Sequence, residues 1–211
     1  MNRQSQRLQL AGACGPIEAL RDDPPSGLPL KGLALLAHPH PLHGGSMDNK
    51  VVQTLARAYV ECGWAALRFN FRGVGASAGS YDEGRGELDD MLALVPQLAP
   101  TGRLAIGGFS FGAFVASHAA VRLWAARSPD SIVLVGTAAG RFAVAPLPAE
   151  AHLRTLVLHG EQDDTVALAD VFDWARPQKL PVTVIPGGGH FFHGQLQLLK
   201  TLVVRHLHGL P

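Results

Sequence analysis

Cysteine is nearly absent: Cys14 and Cys62 are the only two among 211 residues. They share no metal-ligand spacing, and two isolated thiols fit a reducing compartment. Charge is scarce too, at 17% of residues with a formal net charge of +1. Without a long basic run, the electrostatic footprint of a nucleic-acid binder is missing. No apolar run is long enough to span a bilayer. The opening residues, Met1 to Arg7, lead into no apolar h-region of a secretory leader. Internal repeats and low-complexity stretches are lacking as well. These absences leave the expectation of a cytoplasmic globular protein with neither a nucleic-acid nor a membrane partner. Apolar residues, at 47%, supply a large core. The length is near the upper end for one domain, so residues 1–211 are read as a single domain.

Apolar runs bounded by loops occur at 32–37, 64–71, 104–106, 131–136, 155–159 and 181–185. Such runs suit strands buried on both faces of a parallel sheet. Helical spacing or position predicts helices over 48–62 and 87–98, from 113 to about 121, over 168–175 and over 191–206. Pro96 puts the last turn of the second of these in doubt. Residues 7–20 read as two short strands joined by a turn at 12–16. Alternation of strand and helix indicates an α/β fold with a mostly parallel sheet. Residues 141–154 are too few for a lid domain and suggest a loop with at most one helical turn.

The stretch 103–120 organises the chain. A short apolar run leads into Gly108-Phe109-Ser110-Phe111-Gly112, and an apolar, small-residue segment follows. Strand, tight turn and helix with Gly-x-Ser-x-Gly in the turn form the nucleophile-elbow pattern. The serine is held in a strained conformation, and side chains two positions away would collide, so glycine stands there. The pattern occurs twice, since Gly75-Ala76-Ser77-Ala78-Gly79 also fits. No helix follows Ser77, only the polar run Ser80 to Gly84, so Ser77 is read as a loop residue and Ser110 as the nucleophile.

A serine hydroxyl needs a base, and the base an orienting acid. The chain order Ser, Asp or Glu, His directs attention to loops after later strands. The loop after 155–159 offers Asp163 or Asp164, with Asp163 favoured and its neighbour a candidate cap for the next helix. The loop after 181–185 offers His190, behind a glycine run. Of the ten histidines, His118 and His159 read as packed and His206 and His208 as solvated or capping, while His193 is close enough to line the site. Between Pro39 and Pro41, which have no N–H, His40 is the only backbone donor and a candidate oxyanion ligand. A metal reading of His38, His40 and His43 is disfavoured because no carboxylate or cysteine stands nearby at ligand spacing. Arg72 is either an anion ligand or, preferred, a bridge between loop carbonyls and acids.

The segments HPHPLHGGSMDNKVV, RFNFRGVGASAG, GGFSFGA and PGGGHFFHGQL resemble those of small, lidless bacterial members of the α/β-hydrolase superfamily, related to dienelactone hydrolases. The resemblance covers nearly the whole chain. It implies a mixed, mostly parallel eight-stranded sheet flanked by helices, with an antiparallel strand near the N-terminus. It also implies a Ser110–Asp163–His190 triad with the N–H groups of Phe111 and His40 as oxyanion hole. Serine stands here where dienelactone hydrolases carry cysteine, which favours ordinary ester or thioester substrates. The expectation is a serine hydrolase without cofactor or metal that cleaves small carboxylic esters or thioesters through an acyl-enzyme on Ser110. Without a lid the site should be open and prefer short acyl chains, with Phe109, Phe111, Phe191 and Phe192 as candidate walls. The alternatives are a non-catalytic binding module on the same fold and an acyltransferase using the same triad.

Overall fold

The computed structural model describes residues 5–210. Met1 to Gln4, part of the stretch read for a leader, and Pro211 lie outside them. The chain opens with the antiparallel pair β1 (Gln6–Gly12) and β2 (Gly15–Asp22), joined by Ala13 and Cys14 alone. There follow β3 (Gly32–Ala37), α1 (Lys50–Glu61), β4 (Trp64–Phe69), α2 (Arg85–Leu98), β5 (Arg103–Phe109) and α3 (Phe111–Arg127). The last elements are β6 (Ser131–Val135), β7 (Thr155–Gly160), α4 (Leu168–Ala175), β8 (Val182–Ile185) and α5 (Leu196–His208). One eight-stranded sheet results, in the order β1-β2-β4-β3-β5-β6-β7-β8. β2 pairs with β4 antiparallel, and every pairing from β4 to β8 is parallel.

The central strands are predominantly apolar on both sides because both faces are covered. In β3, Leu33, Leu35 and Ala37 point into one core with α2, α3 and α4. Ala34 and Leu36 point into the other, against α1 and α5. The fold is therefore three layers, helix–sheet–helix. Truncating a fully buried side chain such as Leu35 should cost about 2–5 kcal/mol. No helix among the described residues is long and apolar enough to cross a membrane.

Some element ends depart from the sequence reading. α1 starts at Lys50, two residues after the expected 48, with Asn49 as its cap, its Oδ1 accepting from Val51 N at 2.9 Å and Val52 N at 3.4 Å. β4 ends at Phe69 because the Phe71 N–H leaves the ladder for His38 Nε2, 3.0 Å away. α2 starts two residues early, since the buried Glu87 carboxylate takes the N–H groups of Asp82 (2.9 Å) and Gly84 (2.8 Å), and Pro96 is tolerated inside it. The expected helix over 191–206 begins only at Leu196. Phe192 (φ 51°) and Gly194 (φ 74°) are left-handed, which no helix interior accepts. Residues Ala149–Arg154 form a six-residue 3-10 stretch, longer than the single turn expected.

Candidate active site

β5 ends at Phe109 and α3 begins at Phe111, so Ser110 is the entire turn. Its backbone sits at φ 57° and ψ −119°, a conformation costing about 1–3 kcal/mol for a residue with a side chain. The surroundings impose it. Ser110 N donates to Val135 O of β6 at 2.8 Å, and Ser110 O accepts from Ala113 N at 2.9 Å. A Cβ on Gly108 would overlap the Gly112 backbone, and one on Gly112 would lie 2.5 Å from His38 O. The glycine pair thus admits both the turn and the close passage of the loop after β3.

Two more loops at the same sheet edge reach Ser110. Asp163 follows β7 and His190 follows β8, and the loops are joined by Gln162 N donating to Gly188 O at 2.8 Å. His190 Nε2 lies 3.0 Å from Ser110 Oγ and His190 Nδ1 lies 2.7 Å from Asp163 Oδ2. A carboxylate only accepts, so Nδ1 carries the proton and Nε2 is left to accept from the serine hydroxyl. Asp163 Oδ1 accepts from Thr165 N at 2.9 Å and Val166 N at 2.8 Å. Burial pushes the Asp163 carboxyl up, but the His190 hydrogen bond and those N–H groups outweigh it and hold it below the ordinary range. All three residues are buried, Ser110 at 8%, Asp163 at 9% and His190 at 4% exposure.

The fold has close relatives. A lidless α/β serine hydrolase from Xanthomonas campestris is 36% identical, with a TM-score of 0.85, over 100% of this chain and 97% of that one. The chain belongs to the α/β-hydrolase superfamily. An α/β serine hydrolase homologue from Coxiella burnetii is 35% identical, with a TM-score of 0.81, over 98% of each chain. An uncharacterized protein of Rickettsia prowazekii is 35% identical over 176 residues, 76% of this chain and 71% of that one. No family model matches the sequence.

This α/β-hydrolase has no lid: between β6 and β7 lie only the turn at 136–142, an extended stretch and the 3-10 turns. Ser110 opens onto two adjoining cavities. One, of about 320 Å³, is walled by Phe111, Phe142, Ala138 and Val166. The other, of about 370 Å³, is bounded by Gly44, Gly45, Asn49 and Phe191, with His190 at its floor. His40, His43, Arg141 and Thr165 border both.

Of the four phenylalanines expected as walls, Phe111 and Phe191 line the cavities. Phe109 and Phe192 are fully buried in the core, although the Phe109 ring supports His190 at 4.8 Å. The expectation missed Phe142, which stacks on Phe114 at 4.9 Å, and Arg141. Both lie in a segment read only as a loop too short for a lid. A lone aromatic beside an arginine after a strand's C-terminal end was the available signal. The His40 ring is itself wall, 5.0 Å from Phe111 and 4.9 Å from Tyr81. Burial, then the nearby His43, lowers its pKa. Among the described residues the His40 backbone N–H meets no acceptor. Phe111, first in its helix, has no intrahelical acceptor for its own.

His38 is fully buried with both ring nitrogens engaged, Nδ1 with Pro39 O at 2.6 Å and Nε2 with Phe71 N at 3.0 Å. Burial, partly countered by the Pro39 carbonyl, pushes its pKa down to about 4. His159 is buried, with Nε2 on Val166 O at 3.0 Å and 3.5 Å from Asp163 Oδ2. His193 is exposed beside Phe191. Asp164 does not cap α4, which starts after Ala167 without a side-chain cap; it faces the Thr165 hydroxyl instead. Arg72 donates to Asp90 Oδ2 at 2.8 Å, and Asp90 Oδ1 takes Ala13 N at 2.8 Å. The acid half of the expected bridge is present, away from both cavities; among the described residues Arg72 makes no hydrogen bond to a loop carbonyl. Ser77 lies in a loop, its Oγ donating to Asn70 O at 2.7 Å and accepting from Glu18 N at 3.0 Å.

Proposed function

We propose that the chain is a serine hydrolase of small carboxylic esters or thioesters, working through an acyl-enzyme on Ser110 without a cofactor. One observation carries this reading: the unbroken hydrogen-bond chain from Ser110 Oγ through His190 to Asp163, starting at a serine in a strained turn. His190 Nε2 removes the hydroxyl proton as Ser110 Oγ attacks the acyl carbon. The tetrahedral oxyanion is held by the N–H groups of Phe111 and His40, and one such donor is worth about 10²–10³ in turnover. Asp163 fixes the Nδ1–H tautomer and stabilises the imidazolium. His190 passes its proton to the leaving alcohol or thiol. A water deprotonated by His190 then attacks the acyl carbon, the bond to Ser110 Oγ breaks, and the serine oxygen takes the proton back from His190 as the acid leaves. The unlidded cavities favour short acyl chains, and a steep rise in kcat/KM with chain length would contradict this.

The test is labelling with a fluorophosphonate probe and peptide mass mapping of wild type and Ser110→Ala. Label on Ser110 that vanishes in the variant is the expected result. No label on folded wild type would overturn the reading, and label on Ser77 would overturn the choice of serine.

A further inference from the structure

Neither cavity at Ser110 is lined by an acidic side chain. Both are bordered by one permanently charged group, Arg141. The turn after β6 presents it: Phe142 N donates back to Ala138 O at 3.1 Å, tucking the Phe142 ring against Phe111 and Phe114. Arg141 Nε donates to Thr165 O at 2.8 Å, which fastens the guanidinium to the loop that carries Asp163. That bond uses one of five donors. Among the described residues Arg141 makes no ion pair; Asp170, whose carboxylate packs against Gly140, is not paired with it and lines neither cavity. Arg141 is exposed, but a guanidinium tethered by its Nε, with terminal N–H groups unspent and no ion pair, beside a nucleophile, is a fork for an oxyanion.

We propose that Arg141 selects substrates carrying an anionic oxyacid group, a carboxylate or phosphate, beside the scissile ester or thioester. This deepens, and rests on, the hydrolase reading. The apolar cavity takes the hydrocarbon part next to Phe111 and Phe142, while the anion rests on the Arg141 fork at the junction. The charge lies on the acyl or on the alcohol side, and matched ester pairs separate these. Monophenyl glutarate against phenyl pentanoate puts a carboxylate on the acyl side. 4-Carboxyphenyl butyrate against phenyl butyrate puts it on the leaving group.

The readout is the anionic-to-neutral ratio of kcat/KM in wild type and Arg141→Gln. In at least one pair wild type should favour the anionic ester by about tenfold, the size of one charge-assisted hydrogen bond in a half-open site. The ratio should fall toward one in Arg141→Gln and shrink with added salt. Turnover of the neutral esters with no anionic preference in either pair, or a preference that survives Arg141→Gln, would overturn the inference and leave the hydrolase reading standing. Calorimetric binding of the same esters to Ser110→Ala, with and without Arg141→Gln, separates the two ideas in the other direction. Tighter anion binding that depends on Arg141, in a protein whose wild type cleaves none of the four, would sustain Arg141 as an anion receptor and remove the hydrolase reading. Equal binding of anionic and neutral esters would overturn it.

Discussion

Two segments of this chain share Gly-x-Ser-x-Gly, and the backbone treats them in opposite ways. At 108–112 the serine carries the left-handed conformation, φ 57°, and the flanking glycines do not. At 75–79 the glycines carry it, φ 57° and 83°, and the serine is relaxed. In the first case glycine supplies space and the strain falls on the residue between. In the second, glycine absorbs the strain so that the loop can close and bury Ser77. The hydroxyls follow suit. Ser110 Oγ faces a histidine nitrogen, whereas Ser77 Oγ spends its proton and a lone pair on two backbone groups. The letters of the motif are therefore silent, and the position of the strained residue decides.

The sharpest way to test this comparison is to remove each hydroxyl. Ser110→Ala should lower kcat on an activated phenyl ester by about 10⁶, as read in a spectrophotometric assay. Asp163→Asn comes next. It keeps the shape but favours the wrong His190 tautomer, for a loss of about 10⁴ in kcat; a loss under tenfold would detach Asp163 from the site.

His38 lies against the elbow, its carbonyl at Gly112 and its ring on the Phe71 N–H. Its folded pKa is depressed to about 4, while the unfolded chain binds that proton near pH 6.5. The stability held by neutral His38 is therefore complete above about pH 6.5 and declines as pH falls toward about 4, a total of about 3 kcal/mol. Urea unfolding across that range should show the decline, and His38→Gln should flatten it. His159, also lowered by burial, contributes with the same sign and remains in the variant.

Ser77→Ala has the smallest expected effect. Activity should hold within about threefold, while urea unfolding shows a loss of about 1–3 kcal/mol from the unpaired Asn70 carbonyl and Glu18 N–H. A large activity loss with unchanged stability would break the comparison.

Much of this was legible because the signals were local. Gly32–Ala37 and Leu168–Ala175 stand where their apolar patterns and flanking loops put them, and Ser110, Asp163 and His190 follow from strand ends and chain order. The unread parts depend on partners remote in sequence. That Phe192 is core and Phe191 is wall turns on one left-handed residue at 192, with no composition cue. Glu87 extends α2 backwards by reaching Asp82 and Gly84. Arg141 gained meaning only when Thr165, in the next loop, was found to hold it.

β8 is the sheet's last strand, four residues long, hydrogen-bonded to β7 alone, with three of the four half-buried. The proposed base hangs from it, whereas the elbow is wedged between central strands. Edge elements fray before cores do. On the proposed mechanism, warming or mild denaturant should therefore release His190 before Ser110 leaves its strained turn, and ester turnover should fade below the melting transition. Amide exchange at Val182–Ile185 should then run ahead of exchange in the central strand Arg103–Phe109, and local opening of this edge, rather than global unfolding, should limit how long the proposed base stays in place.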